Sequence, residues 1–189
     1  MMFNRIKKLK DRDKIPLIAV TLVSIIIISF ILIFFSMLTE EFPEPDNIVD
    51  KQGTLRYDTT LFKVYIVRYP VQGTIVPFTV ENKTLKIGIS ADRDKLNFGV
   101  LPQTLSVRKF LNLKNREDSK ARICVRTYGT IRDFVNITED TFILEKEEYR
   151  EVQLTFSGDR VGNYTGEIDV ITKKMRYDFM EPLLPLTRC

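Results

Sequence analysis

The chain has 189 residues, carries a formal net charge of +4 and contains neither histidine nor tryptophan. Without histidine it has no Ser-His-Asp or Cys-His catalytic centre, and it lacks the commonest zinc ligand. No glycine-rich loop precedes a predicted helix, so a phosphate-binding loop is not indicated. We therefore expect a protein that is not an enzyme and that has no cofactor, metal centre or small-molecule substrate.

The first element in the chain is an uncharged apolar segment, "IPLIAVTLVSIIIISFILIFFSML" (15–38). As a helix rising about 1.5 Å per residue, it is long enough to cross a hydrocarbon core of about 30 Å. Ser24, Ser29 and Ser36 can bond back to helix carbonyls. A buried core helix is the alternative, but such helices rarely lack a polar stripe over this length. The segment therefore predicts a transmembrane helix in contact with membrane lipid.

A cleaved signal peptide is a second interpretation of the same segment. Such signals have a shorter apolar region and end in a small-x-small cleavage site, whereas this segment is followed by "TEEFPEP". A pilin-type signal is cut before its apolar region, but "DRDKIPL" lacks the small residue that is usual there. The sequence favours a retained anchor.

The charged residues that flank the segment predict its orientation. Lysine and arginine are retained on the cytoplasmic side of a membrane, and the tail 1–14 is basic whereas residues 39–50 carry only acidic charges. We predict a single pass through the cell membrane, with a cytoplasmic N-terminus and an extracellular C-terminal domain. The tail's bases are Arg5, Lys7, Lys8, Lys10, Arg12 and Lys14.

The basic tail also accounts for the net charge. Of the 29 bases and 25 acids in the chain, the tail holds six and two, so the remaining charges cancel. The positive charge is thus a topology signal and not a nucleic-acid footprint. We expect no nucleic-acid partner.

The rest of the chain indicates an all-β ectodomain. Residues 39–51 are acidic, contain Pro43 and Pro45, and predict a short stiff spacer. After it come short segments rich in β-branched and aromatic residues, separated by turn residues, with no sustained period of 3.6. The predicted strands are 61–69, 74–80, 84–90, 95–101, 106–113, 121–128, 130–137, 141–147, 151–156 and 164–172.

Clear alternation of apolar and polar residues supports two of these strands. In 151–156, one face holds the apolar residues Val152, Leu154 and Phe156. In 164–172, one face is shared by Tyr164, Ile168 and Val170.

Four motifs follow one another within residues 84–173: "LNFGVL", "FLNLKN", "EVQLTF" after an acidic turn, and "GNYTGEI". In this order they resemble the immunoglobulin-like modules of the abnormal-spindle/hydin and PapD-related type, which envelope proteins of archaea also carry. The matching positions are Leu96, Phe98, Gly99, Leu111, Leu113, Asn115, Glu151, Val152, Phe156, Gly162, Tyr164 and Gly166.

The resemblance implies a seven-stranded immunoglobulin-like β-sandwich over 52–173, with its core module at 84–173. Residues 52–83 lie outside the pattern, and they either add strands to a sheet or form a collar near the membrane. The motif residues have structural explanations, such as turn glycines, a turn-capping role for Asn115 and a hydroxyl of Tyr164 bonded to backbone. A fold of this kind does not by itself define a function.

Three carboxylate pairs are candidates for hydrolytic or metal chemistry. They are Asp92 with Asp94, Glu139 with Asp140, and Glu147 with Glu148. Nothing in the sequence places two carboxylates opposite each other in a cleft, as glycosidases require. "ADRDKLN" resembles a calcium loop but lacks its later glycine and glutamate, so a solvated loop is favoured.

Asn82, Asn136 and Asn163 each begin an N-x-[ST] sequon. Such sequons also arise by chance in ordinary polar turns, but an extracellular domain is where they can be used. They are candidate glycosylation sites in a host that has the machinery.

Cys124 and Cys189 are the only cysteines. If Ile123 and Val125 face the core, the alternation places Cys124 on the outer face. A disulfide between the two cysteines, a bond between chains and two free thiols all remain open. The C-terminal tail (174–189) is apolar and contains two prolines, and packing back on the domain is favoured over an exposed docking segment.

These features predict a membrane-anchored binding or structural module of the cell envelope. We expect it to act in protein–protein assembly, in a surface layer, a pilus or a motility complex, with a probable envelope protein as its partner. The alternative is an accessory subunit of a membrane enzyme or transporter, which contacts its partner mainly through the helix.

Overall fold

The structure is a computed structural model that describes residues 14–38, 44–78 and 95–189. It contains two compact units, one comprising Met1–Glu40 with Arg188 and the other, the β unit, comprising Glu41–Thr187 with Cys189. The predicted strand 84–90, the sequon at Asn82 and the Asp92/Asp94 pair lie outside the described residues.

The described residues of the first unit form one helix, α1 (Lys14–Leu38), of 25 residues with Lys14 as its only charged residue. Its side chains are described for residues 20–36, where the apolar ones other than Phe34 are exposed. The hydroxyl of Ser24 donates to the carbonyl of Val20 at 2.9 Å, as the sequence predicted. Among the described residues, no helix combines the length and the apolarity needed to cross a membrane.

The β unit contains nine strands and two 3₁₀ segments among its described residues. The 3₁₀ segments are Arg132–Phe134 and Asp178–Leu186. The strands are β1 (Gly53–Asp58), β2 (Phe62–Val76), β3 (Leu96–Pro102), β4 (Ser106–Lys114), β5 (Ala121–Gly129), β6 (Val135–Ile137), β7 (Thr141–Leu144), β8 (Tyr149–Ser157) and β9 (Gly162–Met175).

These strands form two sheets. Sheet A has the order β1-β2-β9-β5-β7, with β3 also paired to β2, and sheet B has the order β4-β8-β6. Because β9 occupies one edge of β2 from Phe62 to Ile75, β1 and β3 share the other edge. β3 runs parallel to β2, and the other pairs are antiparallel. The two sheets enclose one core, which confirms the predicted β-sandwich.

The sequence predicted two strands, 61–69 and 74–80, where the structure has the single strand β2. It is one strand of 15 residues that passes through Pro70 and Gly73 and lies inside sheet A. Proline has no N–H to donate to a ladder. Pro70 is tolerated because β1 pairs with β2 only up to Arg68 and β3 only from Val71, so neither neighbour needs that N–H. Residues 62–76 therefore belong to the sandwich.

The core fills the space between the sheets. Phe98 of sheet A stacks on Phe156 of sheet B with ring centroids 5.2 Å apart. Val152, Leu154 and Phe156 are all buried, which confirms the alternation predicted for β8. Burying one side chain of this size contributes roughly 1.5–3 kcal/mol, so these alternating positions supply much of the stability of the sandwich.

Asn115 has the turn-capping role that the sequence predicted. Its Oδ1 accepts a hydrogen bond from the N–H of Glu117 at 3.0 Å, within the turn after β4. Its Nδ2 donates to the carbonyls of Ser119, Leu144 and Glu145 at 2.9–3.2 Å. One buried amide thus ties the turn after β4 to the end of β7.

Tyrosine and glycine positions of the motifs are also explained by local geometry. The hydroxyl of Tyr164 donates to the carbonyl of Arg160 at 2.9 Å, the backbone bond that the sequence predicted. Gly99 has a φ of +77°, a conformation that favours glycine. At Gly166 a Cβ atom would lie 2.0 Å from the carbonyl oxygen of Tyr128, so β5 and β9 approach closely only because no side chain is present.

The predicted strand 130–137 is wrong in its first half. Residues 132–134 form the 3₁₀ turn, and only Val135–Ile137 pairs with β8. The chain leaves sheet A at Gly129, whose φ is +86°, and Thr130 then donates its hydroxyl to the carbonyl of Thr165. This turn carries the chain from sheet A to sheet B.

Candidate functional site

The outer face of sheet A, which points away from the core, carries the buried charged side chains of the described residues. Residues opposite one another on antiparallel strands share a face. Arg68 lies opposite Asp169, which lies opposite Arg126, and Glu167 lies opposite Tyr128. Their alternating neighbours belong to the core, so these five side chains form a polar cluster on the outer face.

Glu167 is the best-bonded carboxylate of this cluster. It is fully buried, and its Oε1 accepts hydrogen bonds from Nε and Nη2 of Arg68 at 3.2 and 2.6 Å. Its Oε2 accepts the N–H of Val49 at 2.8 Å, and Nη2 of Arg68 also donates to the carbonyl of Asn47. A partly buried ion pair therefore holds the segment 44–52 against the sheet.

The carboxylate of Asp169 is less well hydrogen-bonded than that of Glu167. Its Oδ1 is buried and accepts no hydrogen bond from any described residue, and the nearest cation, Nε of Arg68, is 3.8 Å away. Burial, and then the charge of Glu167, raise the pKa of Asp169 from 3.8 to about 7, while Arg68 opposes this shift. Burial and the charge of Asp169 likewise raise the pKa of Tyr128.

The other half of the outer face is apolar and is covered by the C-terminal tail, which follows Met175 in the structure. Phe62 of β2 lies opposite Met175 of β9, and both are buried. Met180 and Leu184 of the tail are buried as well. Arg122 of β5 fixes this arrangement by donating to the carbonyls of Leu184 and Pro185. Lys173 is also buried on this face, and its ammonium lies 4.0 Å from the ring centroid of Phe62.

Cys124 and Cys189 are joined by a disulfide, with Cα atoms 5.9 Å apart. Cys124 projects from the outer face of β5, as the alternation predicted, but it is fully buried because the C-terminal tail covers it. Cys189 thus attaches the end of the tail to the sheet, and no free cysteine is present among the described residues.

A cleft of about 510 Å³ opens at the side of the sandwich, between β5 of sheet A and β6 of sheet B. We call it the β5–β6 cleft. The β5 residues 125–128 and the β6 residues 135–137 form two of its walls. Two exposed ion pairs lie at its rim, Arg126 with Asp140 at 3.1 Å and Arg132 with Glu44 at 3.3 Å.

The part of β5 that borders this cleft is an open strand edge. β7 pairs with β5 only from Ala121 to Cys124, while β9 pairs with the opposite edge through Gly129. The N–H of Val125 donates to the carbonyl of Asp140, on the side away from β9. Backbone groups two residues apart point the same way, so the N–H and C=O of Thr127 also face the cleft.

The sequons lie at different places in the β unit. Asn136 is exposed on β6 and lines the β5–β6 cleft. Asn163 is exposed at the start of β9, where its Oδ1 accepts a hydrogen bond from the hydroxyl of Thr74 at 2.9 Å. Both described sequons are thus at the surface.

In each of the two carboxylate pairs that fall within the described residues, the two members bond different cations. Glu139 and Glu148 both bond Arg150, and the remaining members, Asp140 and Glu147, pair with Arg126 and Lys114. Among the residues that the structure describes, no group of three His, Cys, Asp or Glu side chains is arranged to hold a metal ion.

The sequence analysis missed the polar cluster, although a signal for it was present. Ile168 and Val170 were assigned to one face of β9, and the same alternation places Glu167 and Asp169 together on the other. The pairing with Arg68 had no such signal, because it depends on β2 lying next to β9.

Comparisons of the chain with protein-family models, with curated proteins and with solved structures find no match.

Proposed function

We propose that this chain is a single-pass membrane protein whose extracellular β unit binds another protein of the cell envelope. Residues 15–38 are the membrane anchor in this proposal, and residues 1–14 are its cytoplasmic tail. The β unit then acts as a binding or structural module in an envelope assembly such as a surface layer, a pilus or a motility complex.

The observation that carries the proposal is the Cys124–Cys189 disulfide in a chain whose sequence has a basic tail before the apolar segment 15–38. Disulfides persist in oxidising compartments outside the cytoplasm, and the bases before α1 favour a cytoplasmic N-terminus. The redox argument and the charge argument are independent, and both favour a β unit outside the cell.

We also infer that the sandwich is immunoglobulin-like, with β2 in the position of the last strand. In the constant-type immunoglobulin sandwich, one sheet holds strands A, B, E and D and the other holds C, F and G. Here β4-β8-β6 has the order B-E-D, and β5-β9-β2 has the order C-F-G. Because β2 precedes the module instead of following it, the chain has the connectivity of a permuted sandwich. This explains why the motifs begin only after residue 83.

An extracellular β unit would also bring the exposed sequons at Asn136 and Asn163 to the compartment where glycans are attached. In a host with the machinery, we expect Asn136→Gln to remove one glycan, so that the protein migrates faster on a gel. Thr138→Ala should have the same effect, because it destroys the same sequon.

Photo-cross-linking in intact cells tests the function. A photoreactive amino acid is placed at exposed positions of the β unit, Phe110 and Phe179, and of the helix, Val23 and Phe30. Mass spectrometry then identifies the proteins attached at each position. We expect the β-unit positions to link to an extracellular envelope protein. Links from the helix positions alone, to a polytopic membrane protein, would contradict the proposal and favour an accessory subunit.

A further inference from the structure

We propose that the β5–β6 cleft binds an extended segment of about five residues from the partner protein, by adding it as a strand to the open edge of β5. This inference rests on the proposed function and assigns the binding to one surface of the β unit.

The first reason is that the cleft presents unpaired backbone groups in the spacing of a strand. Val125–Gly129 forms a regular strand with β9 but has no strand on its other edge among the described residues. The N–H and C=O of Thr127 face the cleft and bond to no other described residue. Such groups are the natural template for an incoming strand, since each one that stays unpaired in a partly buried place is unfavourable.

The second reason is the side chain of the same residue. Oγ1 of Thr127 is buried and has no hydrogen-bond partner among the described residues. Most buried polar side-chain atoms in folded proteins are hydrogen-bonded. Three unpaired groups on Thr127, two from the backbone and one from the side chain, point to a ligand with donors and acceptors of its own.

The third reason is the shape and lining of the cleft. An added strand beside β5 alternates its side chains between the two faces of sheet A. One set would lie toward Val135 and Ile137 of β6, and the other toward Arg126 and Tyr128. The rim ion pairs are exposed, so each contributes less than about 1 kcal/mol and yields easily to a partner. The fitting segment therefore alternates apolar and polar residues.

Peptide binding to the purified full chain in detergent micelles, made in a host without N-glycosylation, tests the inference. A phage library of random heptapeptides is the probe, and enriched peptides are synthesised for affinity measurements. We expect enriched peptides to alternate apolar and polar residues. On binding, they should slow deuterium uptake in residues 125–130 and leave β4 unchanged.

Three variants separate strand addition from other binding. Thr127→Pro removes the N–H that faces the cleft without removing a bond to β9, and proline is tolerated at such edge positions. Thr127→Val keeps the N–H and removes only Oγ1. Asn136→Trp fills the cleft from the exposed side of β6 and covers the case in which the proline variant does not fold. We expect roughly tenfold or greater loss of affinity for the proline and tryptophan variants, as one lost backbone bond predicts. The valine variant should lose less, because it lacks only the side-chain oxygen and keeps both backbone groups.

Several outcomes would overturn the inference. One is the enrichment of no peptide, and another is equal binding of enriched peptides to wild type, Thr127→Pro and Asn136→Trp. A dimer of the wild type that Thr127→Pro dissociates would put a second copy of the chain in the cleft instead of a foreign partner. If cross-links in cells come from Phe110 while no peptide binds the cleft, the cleft assignment alone fails. If no β-unit position gives a link, the proposed function fails.

Discussion

Arg68 donates two hydrogen bonds to Glu167 and none to Asp169, although the two carboxylates share a face of β9 and lie two residues apart. Arg68 is oriented toward Glu167 because both side chains also bond the backbone of the segment 44–52. Its Nη2 also donates to the carbonyl of Asn47, and Glu167 accepts the N–H of Val49. Arg68 and Glu167 together fix the segment 44–52, and Asp169 remains buried beside them with an unpaired oxygen.

The stability of the β unit is expected to fall as the pH rises toward 7. The folded pKa of Asp169 is about 7, and its ordinary value is 3.8. The folded state therefore holds a proton that the unfolded state has already released, and this stabilisation is lost as the pH rises through the folded pKa. Glu167, Arg68, Arg126 and Tyr128 are the titratable or charged groups that face Asp169 on its sheet.

Asp169→Asn should remove this pH dependence and raise the free energy of unfolding by roughly 1 kcal/mol at about pH 8. All seven tyrosines lie after residue 56, so tyrosine fluorescence during urea unfolding reports on the β unit. Exposed Asp159 provides the matched control, Asp159→Asn. An unchanged slope of stability against pH in Asp169→Asn would contradict the assignment.

Reduction of the disulfide should destabilise the β unit by about 4 kcal/mol in the chain-entropy description, because Cys124 and Cys189 are separated by 65 residues. The measurement is the urea midpoint of the wild type with and without dithiothreitol. Cys189→Ala should resemble the reduced wild type and show no further response to dithiothreitol. Equal midpoints for oxidised and reduced wild type would mean that the tail packs equally well without its covalent link.

Gly166→Ala is expected to disrupt the pairing of β5 with β9. The new methyl group would lie 2.0 Å from the carbonyl oxygen of Tyr128, which is backbone and cannot move aside alone. We expect a loss of roughly 3 kcal/mol in the free energy of unfolding. Gly53→Ala is the control, since no atom lies within 4 Å of the place that its methyl group would occupy, and its stability should change by less than about 0.5 kcal/mol. Similar losses in both variants would argue against the close approach of the strands.

Asn115→Ala should destabilise the sandwich by roughly 2–3 kcal/mol, because it removes the buried amide that bonds the carbonyls of Ser119, Leu144 and Glu145. Asn112 lies three residues earlier, on β4, but is exposed, and its Oδ1 accepts a hydrogen bond from the exposed hydroxyl of Tyr149. Asn112→Ala should therefore be nearly neutral. Thermal unfolding of the two variants compares a buried and an exposed asparagine, and the prediction fails if the exposed position proves the more sensitive.

The proposed topology can be measured with single cysteines. In a chain with the native disulfide intact, Leu55→Cys places a thiol at an exposed position of β1, and Asn4→Cys places one in the basic tail. A maleimide that cannot cross membranes should label Leu55→Cys in intact cells and should label Asn4→Cys only after lysis. Labelling of Asn4→Cys in intact cells would reverse the orientation.

Strands with a local period were predictable from the sequence. The alternation of Val152, Leu154 and Phe156 and the turn around Asn115 need only residues that are near each other in the chain, and the structure agrees with both. The roles of Pro70 and Cys124 were not predictable in this way. Each depends on a distant segment. The pairing of β3 with β2 starts at Val71, directly after Pro70, and the C-terminal tail covers Cys124.

The pairing of Phe62 with Met175 has a consequence for biosynthesis. β2 is made early, but its principal neighbour β9 is the last of the described strands to appear, so the centre of sheet A cannot assemble until Met175 has been synthesised. Contacts of such high sequence separation slow folding and leave apolar strands open to aggregation. The nascent chain would have to be protected until β9 emerges, and the disulfide with Cys124 can form only after Cys189 has emerged as well.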